Sequence, residues 1–280
     1  MSCEGCPSQG KCGKDSSTCS VVTNPKNKIK HIISVMSGKG GVGKSTITVM
    51  LAKSLAKKGL KVGIMDADIT GPSIPRLLDA TNEQAYATEN NEILPIVTKD
   101  GIKIMSLNYL MKNESDPVIW RGPVIAGVVK QFYTDVLWEE LDVLLIDMPP
   151  GTGDVALTIM QSLPVEGVIM VSTPQPMVSM IVAKAIHMCQ QMNVAVLGII
   201  ENMAYLDCPN CSEHIEFYDT AELHKFFEET NSKLYGTLPM LDLIRDINMY
   251  ESYNEQQKEI VSDLIDNITD EMMKDIHVSL

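Results

Sequence analysis

Between the apolar run "HIISVMS" (31–37) and an amphipathic stretch opening at Lys44 stands "SGKGGVGKST", Ser37 to Thr46. No other segment constrains the fold so tightly. Gly38, Gly43, Lys44 and Ser45 satisfy G-x-x-x-x-G-K-[ST], the pattern of a phosphate-binding loop. Such a loop needs a strand before it and a helix after it, because its inward N–H groups and the helix N-terminus together hold the anion. Gly38, Gly40, Gly41 and Gly43 let the backbone turn inward, with Val42 and Thr46 completing the cradle. Lys44 is placed to neutralise β- and γ-phosphates, and the Ser45 hydroxyl to ligate Mg²⁺. The free second position of the pattern is Lys39, a second cation on the rim.

The rest of the chain supplies a sheet for that loop. Short aliphatic runs at 31–37, 61–66, 142–147, 167–173, 194–200 and 233–239 read as buried strands, and 44–58 and 177–192 read as helices. "EILPIVTKDGIKIMSL" (92–107) reads as a hairpin turning at Asp100-Gly101. Alternation of this kind implies an α/β fold, a mostly parallel sheet with helices on both faces. Strand C-termini converge on the ligand in such sheets. "DVLLIDMPPGTGD" therefore offers Asp147 to hold Mg²⁺ through water and the N–H of Gly151 to a γ-phosphate, while "DADITGPSIP" offers Asp68 to orient a water. Turn or N-cap aspartates are the plainer alternative for both carboxylates. Residues 1–28, poor in large aliphatics, read as a flexible cysteine-containing arm, and 29–280 as one ATPase-type domain.

A formal charge of −13 disfavours nonspecific binding to nucleic acid or to an anionic membrane. The opening residues lack the apolar core of a secretory signal, and no apolar run is long enough to span a bilayer. A cytoplasmic location is expected, where thiols stay reduced. Seven cysteines there point to metal or redox chemistry rather than to disulfides.

"CPNC" places Cys208 and Cys211 just after the strand at 194–200. Two thiolates at this spacing grip one metal or one edge of a cluster. An iron–sulfur cluster takes four cysteines, and a two-fold homodimer doubles two to four. His214 is a further candidate ligand or a solvated histidine; Cys189 and His187 read as packing residues of the helix at 177–192.

The loop "GKGGVGKST" resembles those of the deviant Walker A ATPases: septum- and partition-type ATPases, nitrogenase iron protein and the Mrp/NBP carriers. Within that class, "DADITGPSIP" (66–75), "VIWRGP" (118–123), "LLIDMPPGTGD" (144–154), "STPQP" (172–176), "LGIIENMAY" (197–205) and the C-P-N-C resemble the Mrp-type (NBP/ApbC-like) iron–sulfur cluster carriers over roughly residues 29–245. The resemblance implies a P-loop NTPase sheet like that of nitrogenase iron protein. It implies slow Mg²⁺-dependent ATP hydrolysis by a homodimer that bridges a 4Fe–4S cluster and passes it to apo-proteins, with a cluster scaffold as a candidate donor. It also implies that Lys39 crosses the dimer interface to the other subunit's nucleotide, where a solvated lysine is the bland alternative. Asn202 then contacts the adenine, or else simply ends its strand.

Cys3, Cys6 and Cys12 follow the C-x2-C-x5-C spacing of the eukaryotic NBP subgroup, but the further cysteine of that subgroup lies upstream, whereas here Cys19 lies downstream. A second cluster, zinc or a labile thiol arm all remain open for these four. Two other functions compete. One is a zinc-binding nucleotide switch. The other is a positioning ATPase, whose membrane-cycling members end in a basic amphipathic helix; residues 255–280 instead carry seven carboxylates against Lys258 and Lys274.

Overall fold

The computed structural model describes residues 24–69, 71, 73–89, 92–111, 122–175, 178–207, 211, 213–218, 221–230, 232–240 and 255–278. Strand β1 (Lys28–Ser37) is buried along its last six residues. Its side chains alternate, as a strand requires. Ile33 and Val35 enter one apolar cluster, while Ile32 and Met36 enter a second on the opposite face. A strand buried on both faces is what a continuous aliphatic run encodes.

Parallel partners flank β1 on both sides: β5 (Glu140–Asp147) and β6 (Gly167–Ser172). Beyond β5 lies β2 (Val62–Asp66), and beyond β6 lie β7 (Ala195–Glu201) and β10 (Leu234–Thr237). The six expected strand runs each coincide with one of these. The hairpin expected at 92–107 is β3 (Ile96–Val97) against β4 (Lys103–Met105), with Gly101 at positive φ in its turn. It closes an eight-stranded sheet of order β10-β7-β6-β1-β5-β2-β4-β3, parallel except at that last pair. A separate two-stranded ribbon pairs β8 (Tyr205–Asp207) with β9 (His214–Glu216).

Helix α1 (Lys44–Lys57), the short α2 (Ile74–Leu77) and the C-terminal α7 (Glu255–Asp275) cover one face. Ile47, Leu51 and Leu55 of α1 meet Ile265, Ile268 and Met272 of α7 in the same cluster. The acidic side of α7 has a structural use: Asp266 pairs with Lys57 (3.1 Å), the last residue of α1, and Asp270 with Lys58 (2.6 Å) just beyond it. The other face is covered by α3 (Gly122–Thr134), α4 (Asp154–Ser162), α5 (Val178–Gln191) and α6 (Ala221–Glu229). There Phe132, Ile159, Ile186 and Phe227 fill the core, and the fully buried Trp138 donates its indole N–H to the Phe132 carbonyl at 2.9 Å.

Cys189 is buried as expected, and burial pushes its thiol up to about 11. His187 is not a packing residue: it is exposed. Val182, Ala185, Ile186 and Cys189 define the buried stripe of α5, and His187 falls about 100° beyond Ile186, on the water side. Asn24 and Asn27, just before β1, already bond to the domain. Asn24 Nδ2 donates to Glu92 and Asn27 Nδ2 to the Val136 carbonyl, both at 2.9 Å. Cys3, Cys6, Cys12 and Cys19 lie outside the described residues, as do Val118 to Arg121 and Cys208.

Candidate nucleotide and thiol site

Because β1, β2, β5, β6 and β7 run parallel, Ser37, Asp66, Asp147, Ser172 and Glu201 all end at one edge of the sheet. The phosphate loop rises from the centre of that edge, where the chain order reverses around β1. Helix α1 starts directly at Lys44, after Gly43 in the left-handed conformation (φ 83°). Gly43 must be glycine twice over. A Cβ there would also lie 2.4 Å from Nδ2 of Asn202.

Lys44, Asp147 and Asp66, all buried, and the half-buried Asp68 form a charge cluster at the loop. The Lys44 ammonium lies 2.7 Å from Oδ1 of Asp147 and 3.9 Å from Oδ2 of Asp68. Two hydroxyls of α1 also reach Asp147: Ser45 Oγ donates to Oδ2 at 2.6 Å and Thr48 Oγ1 to Oδ1 at 3.0 Å. Ser45 and Asp147 are thus already adjacent, the arrangement a hard, oxygen-ligated Mg²⁺ needs from a hydroxyl and a carboxylate. Asp66 stands beside Asp147 in the β2–β5 register. Full burial, then the Asp147 charge, raise its carboxyl to about 8, against the pull of Lys44 and of the Ser106 hydroxyl, which donates at 3.0 Å. Thr48 and Ser106 went unread in the sequence. The first was legible, one helical turn after Lys44 on the same face; the second is brought in by β4, from forty residues beyond Asp66.

Lys39 is half-buried, and its ammonium donates to the side-chain carbonyl of Gln175, in the loop after β6 of its own subunit. Gly151 has positive φ, and its N–H donates to the Ser37 carbonyl at 2.8 Å. Contact with a γ-phosphate requires that bond to open. Asn202 is fully buried directly after β7, with Nδ2 donating to the Val42 carbonyl of the phosphate loop at 2.9 Å.

Six residues beyond Asn202 begins the C-P-N-C motif, which lies between β8 and β9 in the sequence. Cys211 is an exposed free thiol. In the ribbon Asp207 faces His214, 3.0 Å from carboxylate to ring nitrogen, and the His214 ring lies 4.2 Å from that of Tyr205. His214 is thus engaged with Asp207 and Tyr205. Among the described residues no three His, Cys, Asp or Glu side chains converge on a metal position.

A family model described as the NUBPL iron-transfer P-loop NTPase matches residues 28–277. The chain belongs to this family. An iron–sulfur cluster carrier protein of Clostridium perfringens is 48% identical over 257 residues, covering 86% of this chain and 90% of that protein. Among solved structures, a nucleotide-binding protein from Archaeoglobus fulgidus in complex with ADP is 39% identical, with a TM-score of 0.68, covering 87% of this chain and 88% of its own. The cell division ATPase MinD of Pyrococcus furiosus shares the fold, at 19% identity and a TM-score of 0.60. Membership of an NTPase family accords with the charge cluster under the loop, and among the described residues no helix is long and apolar enough to cross a membrane.

Proposed function

We propose that this protein is an ATP-dependent iron–sulfur cluster carrier, a cytoplasmic homodimer that holds a 4Fe–4S cluster between subunits and transfers it to apo-proteins. The observation that carries the reading is the position of the β8–β9 ribbon, which follows β7 from the same sheet edge as the phosphate loop and carries Cys211, exposed to solvent. Two thiolates per subunit leave a cluster half-ligated, and a second copy completes it. The similar carrier from C. perfringens supports the same cargo.

In this reading the backbone of Gly38 to Thr46 cradles the phosphates and Lys44 moves from Asp147 to the β- and γ-oxygens. Ser45 would hold Mg²⁺ directly and Asp147 through water, and the ion would offset the charge of the phosphates. Asp68 orients the water that attacks the γ-phosphorus, releasing ADP and phosphate. Lys39 leaves Gln175 and reaches the partner's nucleotide, so that hydrolysis reports on dimer geometry. Asn202 meets the adenine with the part of its carboxamide not held by Val42.

Iron, sulfide and zinc counts on anaerobically purified and reconstituted protein test the cargo. One 4Fe–4S cluster per two chains is expected, lost in the Cys208→Ser, Cys211→Ser double variant. Stoichiometric zinc without sulfide would instead favour a zinc-binding nucleotide switch. Cluster absorbance undiminished in the double variant would move the site to the arm.

A further inference from the structure

The amide of Asn202 does more at this site than end a strand. The Val42 carbonyl that it binds belongs to the same peptide unit as the Gly43 N–H. In a trans peptide those two groups point in opposite directions. Holding the carbonyl outward therefore holds the Gly43 N–H inward, where a phosphate oxygen is to be met. Nothing larger than hydrogen fits on Gly43 against that amide, so the contact is also steric.

The other side of Asn202 leads to the thiols. Its own N–H donates to the Ser172 carbonyl at 2.8 Å, and its Oδ1 accepts the Met203 N–H at 3.0 Å, with Met203 turned into the left-handed region (φ 56°). Ala204 then donates to the Leu238 carbonyl at 2.9 Å, and the Tyr205 carbonyl accepts the Met240 N–H, which pins the first residue of β8. Each residue from Asn202 to Tyr205 is tied by a hydrogen bond. The segment has no slack between the phosphate loop and the ribbon carrying Cys211. We propose that Asn202 is a positioning residue that couples the two sites: it sets the Val42–Gly43 peptide for phosphate, and nucleotide binding shifts the root of the cysteine ribbon through it. The proposal rests on the carrier reading only for what the ribbon holds, not for its movement.

Coupling of this kind is reciprocal, and a thiol probe reads it without any cluster. The full-length chain, freed of iron and zinc by chelation under argon, is alkylated with N-ethylmaleimide with and without saturating Mg-ADP. Mass spectrometry follows the peptide that contains Cys208 and Cys211. In the unaltered protein ADP should change the alkylation rate by about fivefold or more, in the range typical of coupled sites. Asn202→Asp keeps the shape but turns an acceptor toward the Val42 carbonyl. It should weaken ADP binding by about tenfold, the worth of one buried hydrogen bond, and alkylation should no longer respond to ADP at saturation. A purely structural role would alter both rates alike and leave their ratio intact.

Asn202→Ala, which leaves a gap rather than a repulsion, should give the same loss of response and stands in if the Asp variant does not fold. The proposal is overturned if ADP binds the unaltered protein without changing the rate, or if both variants keep the full response. Iron and sulfide counts on separate samples decide the carrier reading: a chain that takes up no cluster but retains ADP-dependent alkylation loses its proposed cargo and keeps this coupling.

Discussion

The ammonium of Lys44 and the carboxylate of Asp147 form an ion pair of 2.7 Å, and both side chains are buried. Phosphate must displace this contact to use the lysine. The pair holds the Lys44 side chain at the loop and the Asp147 carboxylate beside Ser45.

Lys44→Ala should therefore do two things at once. It removes the cation that meets the phosphates, so ADP binding measured by calorimetry should fall below detection. It also leaves Asp147 buried with Asp66 and no cation, at a cost of about 3 kcal/mol or more to the nucleotide-free protein. Urea unfolding reads that loss directly. An unchanged midpoint would mean that Asp147 finds its stabilisation in Ser45 and Thr48 alone.

Asp66 gives the site a pH signature. A carboxyl titrates near 3.9 in an unfolded chain, whereas burial and Asp147 raise Asp66 to about 8 in the fold. Between those values the folded chain holds a proton that the unfolded chain has released. Stability therefore falls as pH rises through that window and levels off above it. Asp66→Asn removes this term. The urea midpoint of the variant, relative to the unaltered protein in the presence of EDTA, should rise steadily from pH 5 to 8. A pH-independent difference would place the proton elsewhere in the cluster.

The chain should tolerate loss of its first 23 residues but not of its first 27. Asn24 and Asn27 tie the entrance of β1 to Glu92, Thr134 and Val136, and Asn27 Oδ1 accepts the Glu139 N–H at 2.9 Å. At about 1 kcal/mol net per hydrogen bond, a chain starting at Lys28 should lose roughly 2–4 kcal/mol relative to one starting at Asn24. Equal thermal midpoints for the two would show that these bonds contribute nothing.

What the sequence made legible follows from range. The strand runs and the phosphate loop are local patterns, and each matches an element because a two-sided strand needs an unbroken aliphatic run. Asp147 and Asp68 could be placed because a parallel sheet sends all its strand ends to one edge. Ser106, Gln175 and the Val42 contact of Asn202 were not legible in this way. Each depends on which strands are neighbours, and strand order in the sheet is not written in any single segment. His187 failed for a smaller reason: a helical pattern marks a stripe, and membership of the helix does not give its face.

The phosphate-loop pattern needs only one lysine, and Lys39 is a second. In the single subunit its ammonium meets a neutral carboxamide, Gln175, where Lys44 meets a carboxylate. A hydrogen bond from an ammonium to a neutral acceptor is worth about 1.5–3 kcal/mol net and lacks the opposite charge that holds Lys44, which makes Lys39 the easier of the two to release toward a phosphate across the proposed dimer. Lys39→Ala should keep ADP affinity within a few-fold yet lose most hydrolysis, about 10³-fold if it resembles a cation supplied in trans. Lys39→Arg should not restore full rate, because a planar fork does not replace a compact ammonium. Mixed dimers settle the geometry. Pairing Lys39→Ala with Lys44→Ala creates one composite site with both lysines and one with neither. Phosphate release should reappear on mixing, although each variant alone is inactive. If the mixture stays inactive while subunit exchange is verified by native mass spectrometry, Lys39 acts on its own nucleotide or on none.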